Sequence, residues 1–429
     1  MKSRAIDRKI TEGRDMHMQT NIAQKHREYN ITQQAQNSAR LNTEQLRNEI
    51  IYAKTINGAH FFHLQKIEEA YQMANDVLTI TDPNGPPLHR LSRVIMKAIK
   101  SGSYPHNTYS KNVIDLYAGN PYADQSKPVS MMRAFDILTN STPFVQFAYN
   151  AINLAILSQS AHMKRLHIID IGIGSGYQWS ALFAILKGTS FLPNRIRITA
   201  IDIPSTESKL IEVGERLSKE ANEIGFEFSF TSLIGKAEEV NFEEIKLISG
   251  EYLVINAALS LHHTPTDDAI TKASHSRESL LSRLRQLNPQ LFTLVETDAN
   301  NNSRQFKDRC LEAFQHYMHV FNALEDYFPR TAKERAILEN EFFGREIANI
   351  LTSEGINRVE RHERKEVWAD QLQNAGFCYL DNVFARTNRT LKNVIPLPVP
   401  FEVFHTPYGL CLYVNNRSLF AASCWRPAP

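Results

Sequence analysis

Cysteine is scarce in this 429-residue chain: four residues, at 310, 378, 411 and 424. They are scattered, without the paired spacing of a structural metal site, and too few to frame a disulfide scaffold. They read as small buried hydrophobes in a reducing compartment. No apolar run approaches the ~18 residues of a membrane-spanning helix. The start, Met-Lys-Ser-Arg, is polar and unlike a secretory signal peptide. A cytoplasmic location is expected, with export by a route lacking a cleavable signal left open. Charge of one sign is also lacking: Lys+Arg 48 against Asp+Glu 46 leaves +2. Neither direct nucleic-acid binding nor membrane attachment is expected from that balance. Internal repeats are absent, and the length suits one large elaborated domain or two to three ordinary ones. Glycine is sparse too, 17 residues, yet three of them stand at 172, 174 and 176.

Those three close the stretch Leu166-His-Ile-Ile-Asp-Ile-Gly-Ile-Gly-Ser-Gly176, and an amphipathic segment, Tyr177 to Leu186, starts at once. A branched apolar strand, a glycine turn and a helix N-terminus are the parts of a nucleotide-cofactor cradle. Glycine lets the backbone approach the ligand where a Cβ would collide. A dinucleotide fingerprint needs Gly-x-Gly-x-x-Gly, but Tyr177 stands where its last glycine belongs. That disfavours a nicotinamide oxidoreductase. The spacing resembles instead the first motif of class I S-adenosylmethionine-dependent methyltransferases. Without a ligand, the same glycines would simply close a tight strand-to-helix turn.

Residues 1–45 read as a polar arm, a solvated helix or disordered. From 46 to 165 helical spacing prevails, with Leu46, Ile50, Ile51 and Ala53 on one face. A breaker stands at Asp82-Pro-Asn-Gly-Pro-Pro87 and a polar loop covers about 101–129. Residues 166–302 alternate between two element types. Strands are expected near 166–171, 196–202, 226–232, 251–257 and 291–297, and helices at 177–187, 206–222, 237–248 and 274–286. This is the pattern of a doubly wound parallel sheet, so the expected fold class is α/β. Residues 303–375 read as a helical insertion broken near Pro329 and at Gly355. Residues 376–429 read as short strands completing the sheet, with a hairpin at Asn415-Asn416.

Ligands of an open parallel sheet bind beyond the carboxyl ends of its strands. Asp170, near the end of the first, can orient the amides of the glycine loop. Asp202 ends the second; a carboxylate there can accept both ribose hydroxyls of a nucleoside. Its alternative is to cap the helix that Pro204-Ser205 announces. Beyond the third, Gly235-Lys-Ala-Glu-Glu239 resembles the Gly-Asp-Ala segment that borders adenine in many methyltransferases. Lys236 replaces the acid, leaving Ala237 to contribute its backbone. The fourth carries Asn256 and continues to His262-His263, of which one is expected to face the cleft. A metal reading of that pair fails for want of nearby ligands. The fifth ends at Glu296, a candidate base, and runs into Asn300–Asn302, read as a turn.

Over residues 46–426 the chain resembles one family. Leu166-His-Ile-Ile-Asp170 with Gln178-Trp179 is similar to the Val-His-Ile-Ile-Asp region of GRAS-domain proteins. Phe147–Ile156, with Asn153, is similar to the leucine-rich helix before it, and Leu261-His262 to the leucine-rich region after it. Phe342–Glu346 with Asn349, then Arg358-Val-Glu-Arg-His-Glu363 and Trp368, resemble the late motif, and Ser423-Cys-Trp425 the terminal signature. The resemblance implies a Rossmann-like class I methyltransferase sheet with an α-helical cap built from the N-terminal region and the later insertion. With its three loop glycines and Asp202, the chain resembles the bacterial-type, enzymatic branch more than the plant regulators. That implies an S-adenosylmethionine-dependent methyltransferase acting on a small molecule. Asp170, Gly172, Gly174, Gly176, Asp202, Ala237 and Asn256 would hold the cofactor. Glu296, His262 and His263 would be catalytic, and Asn153, Glu296, Arg361 and Glu363 would meet the substrate. No metal is expected. Arg361 and Glu363 would share a face if locally extended; their plainer role is an ion pair pinning the cap. The alternative function is a non-catalytic GRAS-type module that binds a small ligand or a protein partner in a regulatory role.

Overall fold

The computed structural model describes residues 42–102, 128–189, 192–266, 273–385 and 399–429, with Leu391, Ile395 and Leu397. The expected polar arm up to residue 41 and the polar loop over 103–127 lie outside them. The chain divides into two units, Met1–Lys54 and Thr55–Pro429. In the first, residues 42–54 are helical and Leu46 and Ile50 are exposed. All that follows concerns the second.

Five apolar strands form the parallel half of a mixed α/β sheet. β1 (Arg165–Ile171), β2 (Arg195–Asp202), β3 (Glu227–Ile234), β4 (Tyr252–Ala258) and β5 (Leu291–Thr297) run in the order β3-β2-β1-β4-β5. β6 (Phe377–Tyr379), β7 (Phe401–Thr406), β8 (Gly409–Val414) and β9 (Arg417–Pro427) bring the sheet to nine strands, β9 pairing antiparallel with β5. Asn415 and Asn416 both take positive φ, 48° and 63°, joining β8 to β9. This is the left-handed pair that a two-residue hairpin requires.

Successive strand residues point to opposite faces. Ile168, Val254 and Val295 accordingly enter one core, and Ile169, Ile255 and Leu294 the other. Helices among the described residues include α1 (Ile67–Ile80), α2 (Pro87–Gly102), α3 (Pro128–Ser141), α4 (Pro143–Gln159), α5 (Tyr177–Lys187), α6 (Glu207–Ile224), α7 (Arg277–Gln286), α8 (Phe306–Tyr327), α9 (Phe343–Thr352) and α10 (Lys365–Asn374). Pro143 opens α4 at a position where no amide is needed. Apolar around most of its circumference, α4 packs against β4, β5, β8, β9 and α5. α5 contributes Trp179, Leu182 and Phe183 to the first core, whereas α7 contributes Leu280, Leu281 and Leu284 to the second. The connections after β1 and β4 therefore leave on opposite faces. A crevice opens at that point, beyond the carboxyl ends of the strands. No helix among the described residues is long and apolar enough to cross a membrane.

One expected helix does not form. Between 237 and 248 there is only a single turn, Phe242–Glu244. Arg283 takes the carbonyls of Ala237, Glu238 and Val240, which a helix would need for its own ladder. Val240, Phe242 and Ile245 are buried at a spacing that fits no single helical face.

Candidate functional site

Gly172, Gly174 and Gly176 hold φ of 80°, 54° and 67°. A Cβ on Gly172 would lie 2.7 Å from the Ser260 Cβ, and one on Gly176 2.6 Å from Val213 Cγ1. At Gly174 it would meet nothing within 4 Å. The outer two glycines permit close packing, and the middle one faces open space. Asp202 accepts from the Gly174 N–H at 3.1 Å and the Ile203 N–H at 2.8 Å. The Thr206 side chain also reaches it, while among the described residues no amide of the helix Glu207–Ile224 does. Burial pushes its carboxyl upward, against those two amides. Gly172, Gly174, Asp202 and Ala237 line a cavity of about 710 Å³ whose far wall carries His262 and His263.

That far wall is built around Glu296. One of its oxygens accepts the N–H groups of Ser260 (3.1 Å), Leu261 (2.7 Å) and His262 (3.3 Å). The other meets His262 Nδ1 at 2.6 Å. Both oxygens are occupied and the side chain is buried. The candidate base thus anchors a turn, whose amides it satisfies as a buried carboxylate must. His262 is buried and His263 half-buried, and both line the cavity. Burial works against a charge on His262, but Glu296 and Glu360 outweigh it and hold it at about 10. Burial, then charged His262, push His263 down to about 4.

The late motif supplies the cavity's remaining wall. Residues 358–364 form an extended strap between α9 and α10. Asn349 accepts the N–H groups of Val359 (2.8 Å) and Glu360 (2.9 Å), and Asn301 and Asn302 donate to the His362 carbonyl at 3.1 Å each. The asparagine run thus serves as a clamp as well as a turn. An extended strap has two faces. Arg361 bonds Thr266 (3.1 Å), Asn302 (3.2 Å) and the Gly355 carbonyl (2.7 Å). Glu363 accepts from Asn302 at 2.6 Å and lies 3.7 Å from Arg277. Glu360 and His362, on the alternate parity, turn instead toward His262. Arg361 nevertheless lines the cavity together with Glu360 and His362, whereas Glu363 does not; the contacts that set this come from distant segments.

The GRAS domain family model matches residues 54–426. This chain belongs to the GRAS domain family. Scarecrow-like protein 1 of Arabidopsis thaliana is 29% identical over 367 residues, covering 84% of this chain and 60% of that protein. Scarecrow-like transcription factor PAT1 of the same plant is 29% identical over 362 residues, covering 83% of this chain and 72% of that protein. The crystal structure of SCL7 from Oryza sativa superposes at a TM-score of 0.69 with 24% identity, over 83% of this chain and 94% of that one. This last likeness shows the fold. The GRAS chain spans about 60% of the length of the first curated relative it matches. These relatives are plant proteins, so membership of a bacterial-type branch is not supported.

Three other expected site residues of this GRAS chain sit beneath the cavity. Asp170 does not orient the loop amides. It shares the strand face of Ile168 and accepts from Trp179 Nε1 at 2.6 Å and Asn256 Nδ2 at 2.7 Å. Asn256 also accepts from Thr293 Oγ1 at 2.9 Å, and Asn153 donates to the Gln178 carbonyl at 2.8 Å. Asn153 and Asn256 are fully buried, in a network that ties α4 to α5 and the sheet. Burial pushes Asp170 up to about 7, against its hydrogen bonds from Asn256 and Trp179. Trp179→Phe removes one donor to the charged form and is expected to cost about 1–3 kcal/mol. A folded pKa raised above the unfolded one makes an acid lose stability as pH rises between the two. Trp179→Phe raises the folded value further, so its cost should be larger at about pH 9 than at about pH 5. Equal urea midpoint shifts at the two pH values would refute this account of Asp170.

Proposed function

We propose that this chain is a regulatory GRAS module that binds a small nucleoside-bearing ligand, S-adenosylmethionine or its demethylated product, without transferring a group. In this reading the parallel half of the sheet is Rossmann-like and carries an α-helical cap drawn from 46–165 and 303–375. Gly172 and Gly174 approach the ligand, Asp202 accepts its ribose hydroxyls with lone pairs its two amides leave over, and Ala237 borders its base. The observation that carries the reading is the occupied state of Glu296 beside an open cavity: the cradle is intact, while the expected base is committed to backbone amides and His262. One relative, Scarecrow-like transcription factor PAT1, agrees by its name with a regulatory role. A protein partner that reads the loaded state belongs to the same proposal. One feature favours methyl transfer: His263 lines the cavity and is held largely neutral at physiological pH, as a base would be.

Calorimetry on the full chain tests the proposal. S-adenosylmethionine or its demethylated product should bind. Asp202→Asn should weaken binding at least about tenfold, since a lost hydrogen bond to a charged group costs about 1.5–3 kcal/mol. Gly174→Val should do likewise, because a branched side chain there is strained at positive φ and fills the space beside the loop. Absence of binding up to millimolar ligand would overturn the ligand reading. Methyl transfer to an acceptor, abolished in His263→Ala, would overturn the non-catalytic part and restore the enzyme.

A further inference from the structure

We propose that His262, Glu360 and His362 form a binding site for a divalent transition metal of the zinc class, with one coordination position open to the cavity. The site does not depend on a nucleoside being the ligand. One ligand atom from each residue can be chosen so that all lie within 4.8 Å of one another. His262 Nε2 stands 3.4 Å, and His362 Nε2 3.6 Å, from Glu360 Oε2. Donor atoms around a tetrahedral zinc ion with ordinary Zn–N and Zn–O bonds are about 3.3 Å apart. The three side chains need only small adjustments to close on an ion.

Two independent features point the same way. First, the far ring nitrogen of each histidine is already engaged. His262 Nδ1 meets Glu296 Oε2 at 2.6 Å, and His362 Nδ1 meets the Asn301 side-chain amide at 3.1 Å. The Asn301 Oδ1 is buried without a partner, and exchanging the two amide atoms would make it the acceptor for the Nδ1–H of His362. His362 Nε2 would then present its lone pair toward Glu360, and His262 Nε2 would do the same once an ion displaces its proton. A carboxylate or amide oxygen behind a ligating histidine is the usual support of a metal site. Second, Glu360 is buried, and neither of its oxygens accepts a hydrogen bond among the described residues. It is aimed at His262, His263 and His362, and a metal ion would take the place of the His262 proton that otherwise balances its charge.

The donor set of two imidazoles and one carboxylate selects against magnesium and calcium, which prefer oxygen alone, and suits zinc and its neighbours. Three protein donors leave a position for water or for an oxygen donor on a cavity ligand, such as a carboxylate. Along the chain, His262 and His263 have no further metal ligands nearby at suitable spacing. The partners instead come from the strap, which the fold lays across them.

The test uses the full chain, stripped with chelator and titrated with zinc. About one equivalent should remain after desalting, measured by elemental analysis. Cobalt should give the visible absorption of a low-coordinate nitrogen–oxygen site. Glu360→Gln and His362→Ala should each weaken zinc binding at least about 100-fold, and Asn301→Ala about 10-fold or more, as removal of a supporting group does. His275→Ala serves as the control and should change nothing. Retention of well under one equivalent, or unchanged affinity in folded Glu360→Gln, would overturn the proposal. Should these variants fail to give a cooperative thermal transition, the cobalt spectrum of the unaltered chain decides: featureless absorption refutes the site.

Discussion

Glu296→Ala is expected to lower the unfolding free energy by about 3–5 kcal/mol, the scale seen when one partner of a buried charged pair is removed. The carboxylate serves the amides of Ser260, Leu261 and His262 together with the His262 ring. Alanine removes the one acceptor that all of these donors share. Damage should spread, because the same turn is bound by the strap. Arg361 N–H donates to the His262 carbonyl at 3.2 Å, and Arg277 reaches the carbonyls of His262 at 3.4 Å and Arg361 at 3.1 Å. Glu296→Gln keeps an acceptor for the amides and should lose less, about 1–3 kcal/mol. Urea denaturation checks both. A loss below about 1 kcal/mol for alanine would mean that water enters and satisfies the turn.

Arg90→Met should be comparably damaging, at about 3–5 kcal/mol. A single guanidinium, itself buried, joins three segments. Its Nε donates to Glu339 at 3.0 Å, and its Nη1 to the Gly85 carbonyl at 2.6 Å and to Glu325 at 2.8 Å. Glu339 is also buried, on the irregular turn Leu338–Phe342 that precedes α9, and among the described residues it keeps Arg335 as its cationic partner once Arg90 is gone. The larger part of the cost is that uncompensated carboxylate, not lost packing. Arg90→Met combined with Glu339→Gln should therefore recover part of the stability lost by the single change. Strictly additive losses in the double variant would show that the two side chains do not act as a pair.

Some of the site was legible because it is written in consecutive residues. The strand, the three glycines and the helix start at Tyr177 follow from local rules about Cβ contacts and helix entry, and Asp202 falls at its cavity wall because strand ends define that edge. The strap was half legible. Alternation in an extended segment separates Arg361 and Glu363 from Glu360 and His362, but periodicity cannot tell that Arg361 reaches the cavity with Glu360 and His362 while Glu363 does not. Asn349, Asn301 and Asn302 decide that by holding the strap's backbone at one register.

By itself, then, the sequence determined what depends on neighbours along the chain: five apolar strands and most of the helices between them, the hairpin at Asn415-Asn416, and the family to which those motifs belong. Tertiary structure alone decided what each polar side chain is for. Asp170, Asn153 and Asn256 have the chemistry of ligand contacts, yet α4 and α5 cover them, and they satisfy one another. Glu296 has the chemistry of a base, yet three amides and a histidine reach it first. The segment 237–248 has helical composition, yet Arg283, from another helix, takes its carbonyls. In each case a buried polar group must find a partner, and the partner that arrives from far along the chain is invisible until the chain has folded.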